Sequence, residues 1–143
     1  SQQEQFRKLA SELQMMQGSA ETLQQRLGVL QSAAGDLGVA KKSIGTLTEV
    51  KEGDPILVPT GGGTFVKAHL GDLSTILVNV GADVSIEMVL DEAKQDISSR
   101  LEEVEKASLS VQEQLQQILG QMEIHRDVLN RLNASLQGVQ PGV

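Results

Sequence analysis

The sequence predicts an α+β protein that is mainly α: a long antiparallel two-helix coiled coil with two central β-hairpins that assemble into a β-barrel between subunits. Hydrophobic residues keep a heptad spacing in both terminal parts of the chain, whereas the centre is rich in Gly and β-branched residues. The 143 residues include no Trp, no Tyr and two Phe, which favours burial along thin aliphatic seams over a compact core. We therefore expect an amino-terminal helix over 1–50, hairpins over 51–89, a carboxy-terminal helix over 90–137 and a frayed tail over 138–143.

The first helix is indicated by an alternating spacing of three and four residues that never changes phase. Lys41 alone interrupts it, and the five glycines of this segment fall at outward positions. Because each interior Gly weakens a helix by about 1 kcal/mol relative to Ala, we expect this helix to need a partner helix. The predicted seam is Phe6, Leu9, Leu13, Met16, Ala20, Leu23, Leu27, Leu30, Ala34, Leu37, Lys41 and Ile44.

The second helix has the same spacing, with Lys94 and Ser108 as polar positions on its seam. Such positions commonly set the register of a coiled coil. Gly138 and Pro141 then predict the end of the helix. The predicted seam is Leu90, Lys94, Ile97, Leu101, Val104, Ser108, Val111, Leu115, Ile118, Met122, His125, Leu129, Leu132 and Leu136.

The centre contains an internal repeat. Ile56-Leu57-Val58 followed by Gly61 recurs twenty residues later as Ile76-Leu77-Val78 followed by Gly81. Each copy is typical of a strand, a Gly-containing turn and a second strand, which predicts two hairpins.

Two hairpins carry too few side chains to bury both faces of a sheet, so we expect other subunits to cover them. The predicted assembly surface consists of apolar residues from both hairpins. These are Ile56, Val58, Phe65, Val66, Ala68, Leu70, Ile76, Val78, Val80, Val84 and Ile86.

Charge and residue types argue against several functions. A formal net charge of −7 without a basic stripe makes nucleic acid an unexpected partner. The chain has no Cys, and His69 and His125 are too far apart in sequence to suggest a metal site, so neither metal nor cofactor is expected. The chain lacks the apolar run of a transmembrane segment and the basic face of a membrane-surface helix, and we expect a cytoplasmic protein.

Catalysis is not expected either, since no nucleophile, base and orienting group stand at plausible spacing. The run Gly61-Gly62-Gly63-Thr64 lacks the Gly-Lys-Ser/Thr order of a phosphate-binding loop, and a hairpin turn is the favoured interpretation. The sequence therefore indicates a binding and assembly protein and not an enzyme.

The order of helix, two hairpins and helix, with Leu57-Val58-Pro59-Thr60-Gly61-Gly62-Gly63-Thr64-Phe65-Val66-Lys67-Ala68 at the first turn, resembles the prefoldin α class. The repeated hairpin selects this class, since β-class subunits of the family have one. The resemblance implies a hexamer of two α and four β subunits, joined through a β platform. It also implies an ATP-independent chaperone that captures unfolded polypeptides at coiled-coil ends and passes them to a group II chaperonin.

Near the free end of a coiled coil, seam residues lose neighbours and the helices can separate, which exposes apolar side chains. This reasoning predicts a tip surface that binds clients, made of Phe6, Leu9, Leu13, Met16, Met122, His125, Leu129, Leu132 and Leu136. Protonation of His125 could loosen it, although a solvated seam residue is favoured. The alternative function is a passive coiled-coil scaffold that binds no clients.

Overall fold

The structure is a computed structural model that describes residues 1–138, so the predicted tail at 139–143 lies outside the described residues. The elements follow in the order α1 (Gln2–Leu47), β1 (Pro55–Gly61), β2 (Thr64–His69), β3 (Thr75–Gly81), β4 (Val84–Val89) and α2 (Leu90–Leu136). Two long helices thus flank two antiparallel strand pairs, and the predicted fold is confirmed at this level. No helix within residues 1–138 combines the length and apolar character needed to cross a bilayer.

The chain divides into two compact units. Among the described residues, the terminal unit comprises Ser1–Ser32 and residues 105–138, and the hairpin unit comprises Ala33–Val104. Each unit contains a part of both helices.

In the terminal unit, α1 and α2 run antiparallel. Glu12 contacts His125, and Gln2, nearer the start of α1, contacts Ser135, nearer the end of α2. Ala20 and Leu23 of α1 and Val111 and Met122 of α2 are buried, while most other seam residues are half-buried. This is the thin aliphatic seam that a coiled coil forms in place of a compact core.

The heptad phase separates most of the buried aliphatic residues from the exposed ones, although Ala93 of α2, which is 0% exposed, lies outside the predicted seam. All predicted seam residues are buried or half-buried except Lys41, Lys94 and Leu136. Aliphatic residues outside the predicted seam include several that are largely exposed, among them Met15, Val29, Val39, Leu109 and Ile124.

In the hairpin unit, one core cluster joins the second hairpin to both helices. Ile44 of α1, Val78 and Met88 of the β3–β4 hairpin, and Ala93 and Ile97 of α2 are all buried and in contact. Leu37, Ala40, Ile76 and Leu90 pack around them. The cluster gives the β3–β4 hairpin a covered face without any second chain.

The two hairpins repeat the same geometry. In β1–β2, Val58 pairs with Val66 and the register shifts between Pro59 and Gly61; in β3–β4, Val78 pairs with Ile86 and the shift lies between Asn79 and Gly81. The central turn residues have positive φ in both, at Gly62 (57°) and Gly63 (77°) and at Ala82 (49°) and Asp83 (60°). Positive φ at both central positions is what a type I′ turn requires. The glycine run is therefore a hairpin turn, as the sequence indicated.

Each hairpin forms a two-stranded sheet of its own, since the structure pairs β1 only with β2 and β3 only with β4. Between them, the Asp72 carboxylate accepts hydrogen bonds from the backbone N–H (2.9 Å) and the hydroxyl (2.8 Å) of Ser74. These two bonds lower the pKa of Asp72 and order the turn that leads into the second hairpin.

Candidate functional site

The predicted tip surface lies entirely in the terminal unit. Met122 is buried, Leu136 is exposed, and the other seven members are half-buried. A groove of about 350 Å³ runs along this part of the helix pair, with Leu9 and Leu132 in its walls. Gln5, Lys8, Glu12 and Val128 complete the lining. In this closed arrangement, part of the apolar area of the tip surface is exposed and the rest is buried in the seam.

His125 joins the two helices at the tip. Its Nε2 lies 2.9 Å from Oε2 of Glu12 on α1, and its Nδ1 lies 3.0 Å from the backbone oxygen of Gln121 one turn earlier in α2. The hydrogen bond to Glu12, followed by the one to Gln121, raises the pKa of His125, because both favour the protonated ring. The side chain is 17% exposed.

The sequence favoured a solvated His125 and left open that its protonation could loosen the seam. The structure places a carboxylate opposite the ring across the seam. Protonation therefore strengthens the contact between the helices. Glu12 was missed as its partner, although a charged residue flanking a seam position is the usual place for an interhelical ion pair.

The first hairpin exposes apolar side chains on both faces. Val58 and Val66 lie on one face and Leu57 and Phe65 on the other, and all four are exposed. Ile56, Ala68 and Leu70 are half-buried. Backbone bonds between Leu70 and both Gly53 (2.8 Å) and Asp54 (2.9 Å) extend the ladder at its base. A two-stranded hairpin with both faces open has little stability of its own, so this one is suited to being covered by another chain.

The second hairpin differs from the prediction, which assigned Ile76 and Val78 to contacts with other subunits. Val78 is only 6% exposed and belongs to the core of the hairpin unit, and Ile76 packs against that core. Helices α1 and α2 already cover this part of the face, so Val78 is buried within the chain and Ile76 is half-buried. The sequence pattern could not distinguish the two hairpins, because both copies carry the same Ile-Leu-Val run.

The outer half of the second hairpin remains open. Val80, Val84 and Ile86 are exposed, as predicted for an assembly surface, and Leu77 is exposed on the opposite face. Leu57 and Leu77 were not predicted as surface residues. Both leucines stand in an uninterrupted apolar run, and successive side chains of a strand point to opposite faces. This pattern would have predicted that they lie on a second apolar face.

Arg100 of α2 fixes the position of the second hairpin. Its Nη1 donates a hydrogen bond to the backbone oxygen of Asn79 (2.9 Å), and its Nη2 pairs with Asp96 one turn earlier (2.8 Å). The Asn79 side-chain oxygen accepts a bond from the N–H of Gly81 (2.8 Å), where the register shifts. A polar anchor thus supplements the buried core, and the first hairpin has no contact of this kind among the described residues.

Within residues 1–138, no three His, Asp or Glu side chains lie close enough together to hold a metal ion. The structure offers two mainly apolar surfaces, the tip surface and the open parts of the hairpins. Phe6 belongs to the first and Phe65 to the second.

Comparison with known proteins identifies the family. The family model described as "Prefoldin subunit" matches residues 16–135, which include both hairpins and most of both helices. The chain belongs to the prefoldin family. Prefoldins are molecular chaperones and not an enzyme family, which supports the chaperone function expected from the sequence.

Relatives of the chain point to the α class of prefoldin. The chain is 36% identical to "Prefoldin subunit alpha" of Methanothrix thermoacetophila over 111 residues, covering 78% of this chain and 72% of the relative. For the protein of the same name from Pyrococcus horikoshii, the identity is 35%, with coverages of 70% and 68%. The Methanosarcina acetivorans protein is 30% identical, over 97% and 95% of the two chains. The predicted resemblance to the prefoldin α class is confirmed.

A solved structure supports the fold. The chain superposes on a prefoldin described as "Cryo-EM structure of filamentous PFD from Methanocaldococcus jannaschii" with a TM-score of 0.67, covering 78% of this chain and 92% of that one. The sequence identity is 21%, so this likeness concerns the fold alone.

Proposed function

We propose that this chain is the α subunit of a hexameric prefoldin, with two α and four β subunits, which holds unfolded polypeptides without ATP and delivers them to a group II chaperonin. The observation that supports assembly is the first hairpin, whose Phe65 is 57% exposed and whose two faces are both apolar. Strands from β-class subunits would cover these faces and the free strand edges. The family relationship supports other prefoldin subunits as the partners.

The tip surface supports client binding. Seven of its nine side chains are Leu or Met, and the two Met side chains in particular adapt to varied apolar segments. Full burial of one such side chain contributes about 1.5–3 kcal/mol, from which the cost of ordering both chains is subtracted. One tip therefore holds a client weakly, and several tips of one assembly hold it firmly through avidity. Weak individual contacts also allow release without nucleotide hydrolysis.

Client holding is tested by replacing Leu9, Leu13, Leu129 and Leu132 with Ser in the assembled complex. We expect suppression of aggregation of a denatured client, followed by light scattering, to fall several-fold while the complex keeps its size. Because all four leucines belong to the seam, a second variant limits the disturbance by replacing only Leu9 and Leu132, the two that also line the groove. The matched control replaces Val29 and Leu109, which are exposed outside the predicted seam.

Undiminished protection by both tip variants would contradict the proposal. If the chain is a passive scaffold, the complex should fail to bind several unrelated denatured proteins and should bind one folded partner.

Assembly is tested by Phe65→Ser. Because Phe65 is exposed in the single chain, we expect the circular dichroism spectrum and thermal unfolding of the chain alone to stay unchanged. Native mass spectrometry with β-class subunits should then show loss of the hexamer. Lys67→Ser, which replaces a charged residue on the same face of β2, is the control. A hexamer of normal stability with Phe65→Ser would refute the assignment of this surface.

A further inference from the structure

Both ring nitrogens of His125 face hydrogen-bond acceptors. The carboxylate of Glu12 lies opposite Nε2 at 2.9 Å, and the backbone oxygen of Gln121 lies opposite Nδ1 at 3.0 Å. A carbonyl or carboxylate oxygen cannot donate, so each bond requires a proton on the imidazole. A neutral imidazole has one N–H and can make only one of the two bonds. The arrangement is therefore satisfied only by the doubly protonated ring.

Few other charges act on this contact. Positions three and four residues from His125 on α2 are Gln121, Met122, Val128 and Leu129, none of them titratable. On α1, Lys8 lies one turn before Glu12 and lines the same groove. The neighbours of His125 in sequence on α2 that carry charge are Glu123, Arg126 and Asp127, which are exposed. The Glu12 carboxylate is thus the group across the seam that responds directly to the charge of the ring.

We propose that Glu12 and His125 form a protonation-dependent clamp that keeps the two helices of the tip closed and that opens when the imidazole loses its second proton. Opening removes the ion pair beside Met122, which is buried, and beside the half-buried Leu9 and Leu129. These side chains then become accessible to an unfolded polypeptide. This last step rests on the proposed function, whereas the clamp itself does not.

The sign of the pH response follows from the charge of the ring. Glu12 and Gln121 raise the pKa of His125 above its ordinary value of 6.5. The contribution of the clamp is therefore complete below about pH 6.5 and is lost as the pH rises through the raised pKa. Client capture should accordingly be stronger in mildly alkaline solution than in mildly acidic solution.

The opening is measured in the assembled complex with spin labels on Gln3→Cys and Asn133→Cys, both exposed positions of a chain that has no other Cys. Electron–electron distances should be short and narrowly distributed at pH 6 and longer and broader at pH 8.5. In Glu12→Gln, the midpoint should move to lower pH, since the amide carries no charge. His125→Leu, which fills the seam with an aliphatic side chain, should abolish the pH response. His69→Gln is the control and leaves the midpoint unchanged.

Protection of a denatured client, corrected for its own aggregation at each pH, is measured on the same proteins. We expect several-fold stronger protection at pH 8.5 than at pH 6, with the difference lost in His125→Leu. Distances independent of pH, or a response that survives in His125→Leu, would overturn the clamp. Distances that change while protection stays flat would support the clamp and overturn the tip as the client site.

Discussion

The unequal burial of two equivalent valines leads to a sharp prediction. Val58 and Val78 occupy the same place in the two copies of the repeat, yet Val58 is 42% exposed and Val78 is 6% exposed. Truncation of Val78 to Ala removes two methyl groups, each worth about 0.8 kcal/mol on burial. The cavity left among Ile44, Met88 and Ile97 adds to this loss. We expect Val78→Ala to lower the free energy of unfolding by about 2–3 kcal/mol and Val58→Ala by about 0.5 kcal/mol.

The measurement is urea unfolding of the chain alone, followed by circular dichroism and by hydrogen exchange of the strand amides. Val78→Ala should reduce exchange protection in β3 and β4, whereas Val58→Ala should leave the protection of these strands unchanged. On mixing with β-class subunits, Val58→Ala should weaken assembly by more than its small effect on the stability of the single chain explains. Equal destabilisation of the chain by the two substitutions would refute the reasoning, because it would mean that the hairpins are covered equally.

Two further predictions concern the helices. Gly28→Ala and Gly35→Ala should each stabilise the chain by about 1 kcal/mol in urea unfolding. Ala is the better helix former, and a Cβ at either position meets no atom of a neighbouring residue within 4 Å. A destabilised variant would show that the added methyl group clashes with a neighbouring side chain. Arg100→Met keeps the aliphatic stem of the side chain but removes the hydrogen bond to Asn79. Hydrogen exchange should become faster in the outer half of the β3–β4 hairpin and stay constant in β1–β2. Equal acceleration in both hairpins would show that Arg100 does not anchor the second one.

The helices and the hairpins could be predicted from sequence for different reasons. The heptad spacing persists through both long segments, and its phase distinguishes exposed Leu109 from buried Val111 two positions later. The hairpin turns follow from local backbone chemistry, since the Gly62-Gly63 turn requires positive φ at both residues. In both cases the deciding information lies within a few neighbouring residues. The residues of the tip were predicted in the same way, from the phase of the seam near the chain ends.

The partners of individual side chains were not predictable in this way. Nothing in the spacing distinguishes His125 beside a carboxylate from His125 in solvent, so the sequence favoured a solvated ring and did not predict the contact with Glu12. The contact with Glu12 depends on the axial register of two helices whose sequences are separated by the whole β centre. Many weak contacts along the seam together determine this register, and no single residue specifies it.

The amino-acid sequence by itself determined the two helices, their apolar stripes, the two hairpins and the family, because each is encoded in short-range periodicity, turn chemistry or direct likeness. Only the tertiary structure decided which of the two hairpins is covered. Val58 and Val78 both end an Ile-Leu-Val run, but only Val78 packs against Ile44, Ala93 and Ile97. The burial of a side chain depends on the residues that pack against it, and a repeated local sequence does not specify which distant residues those are.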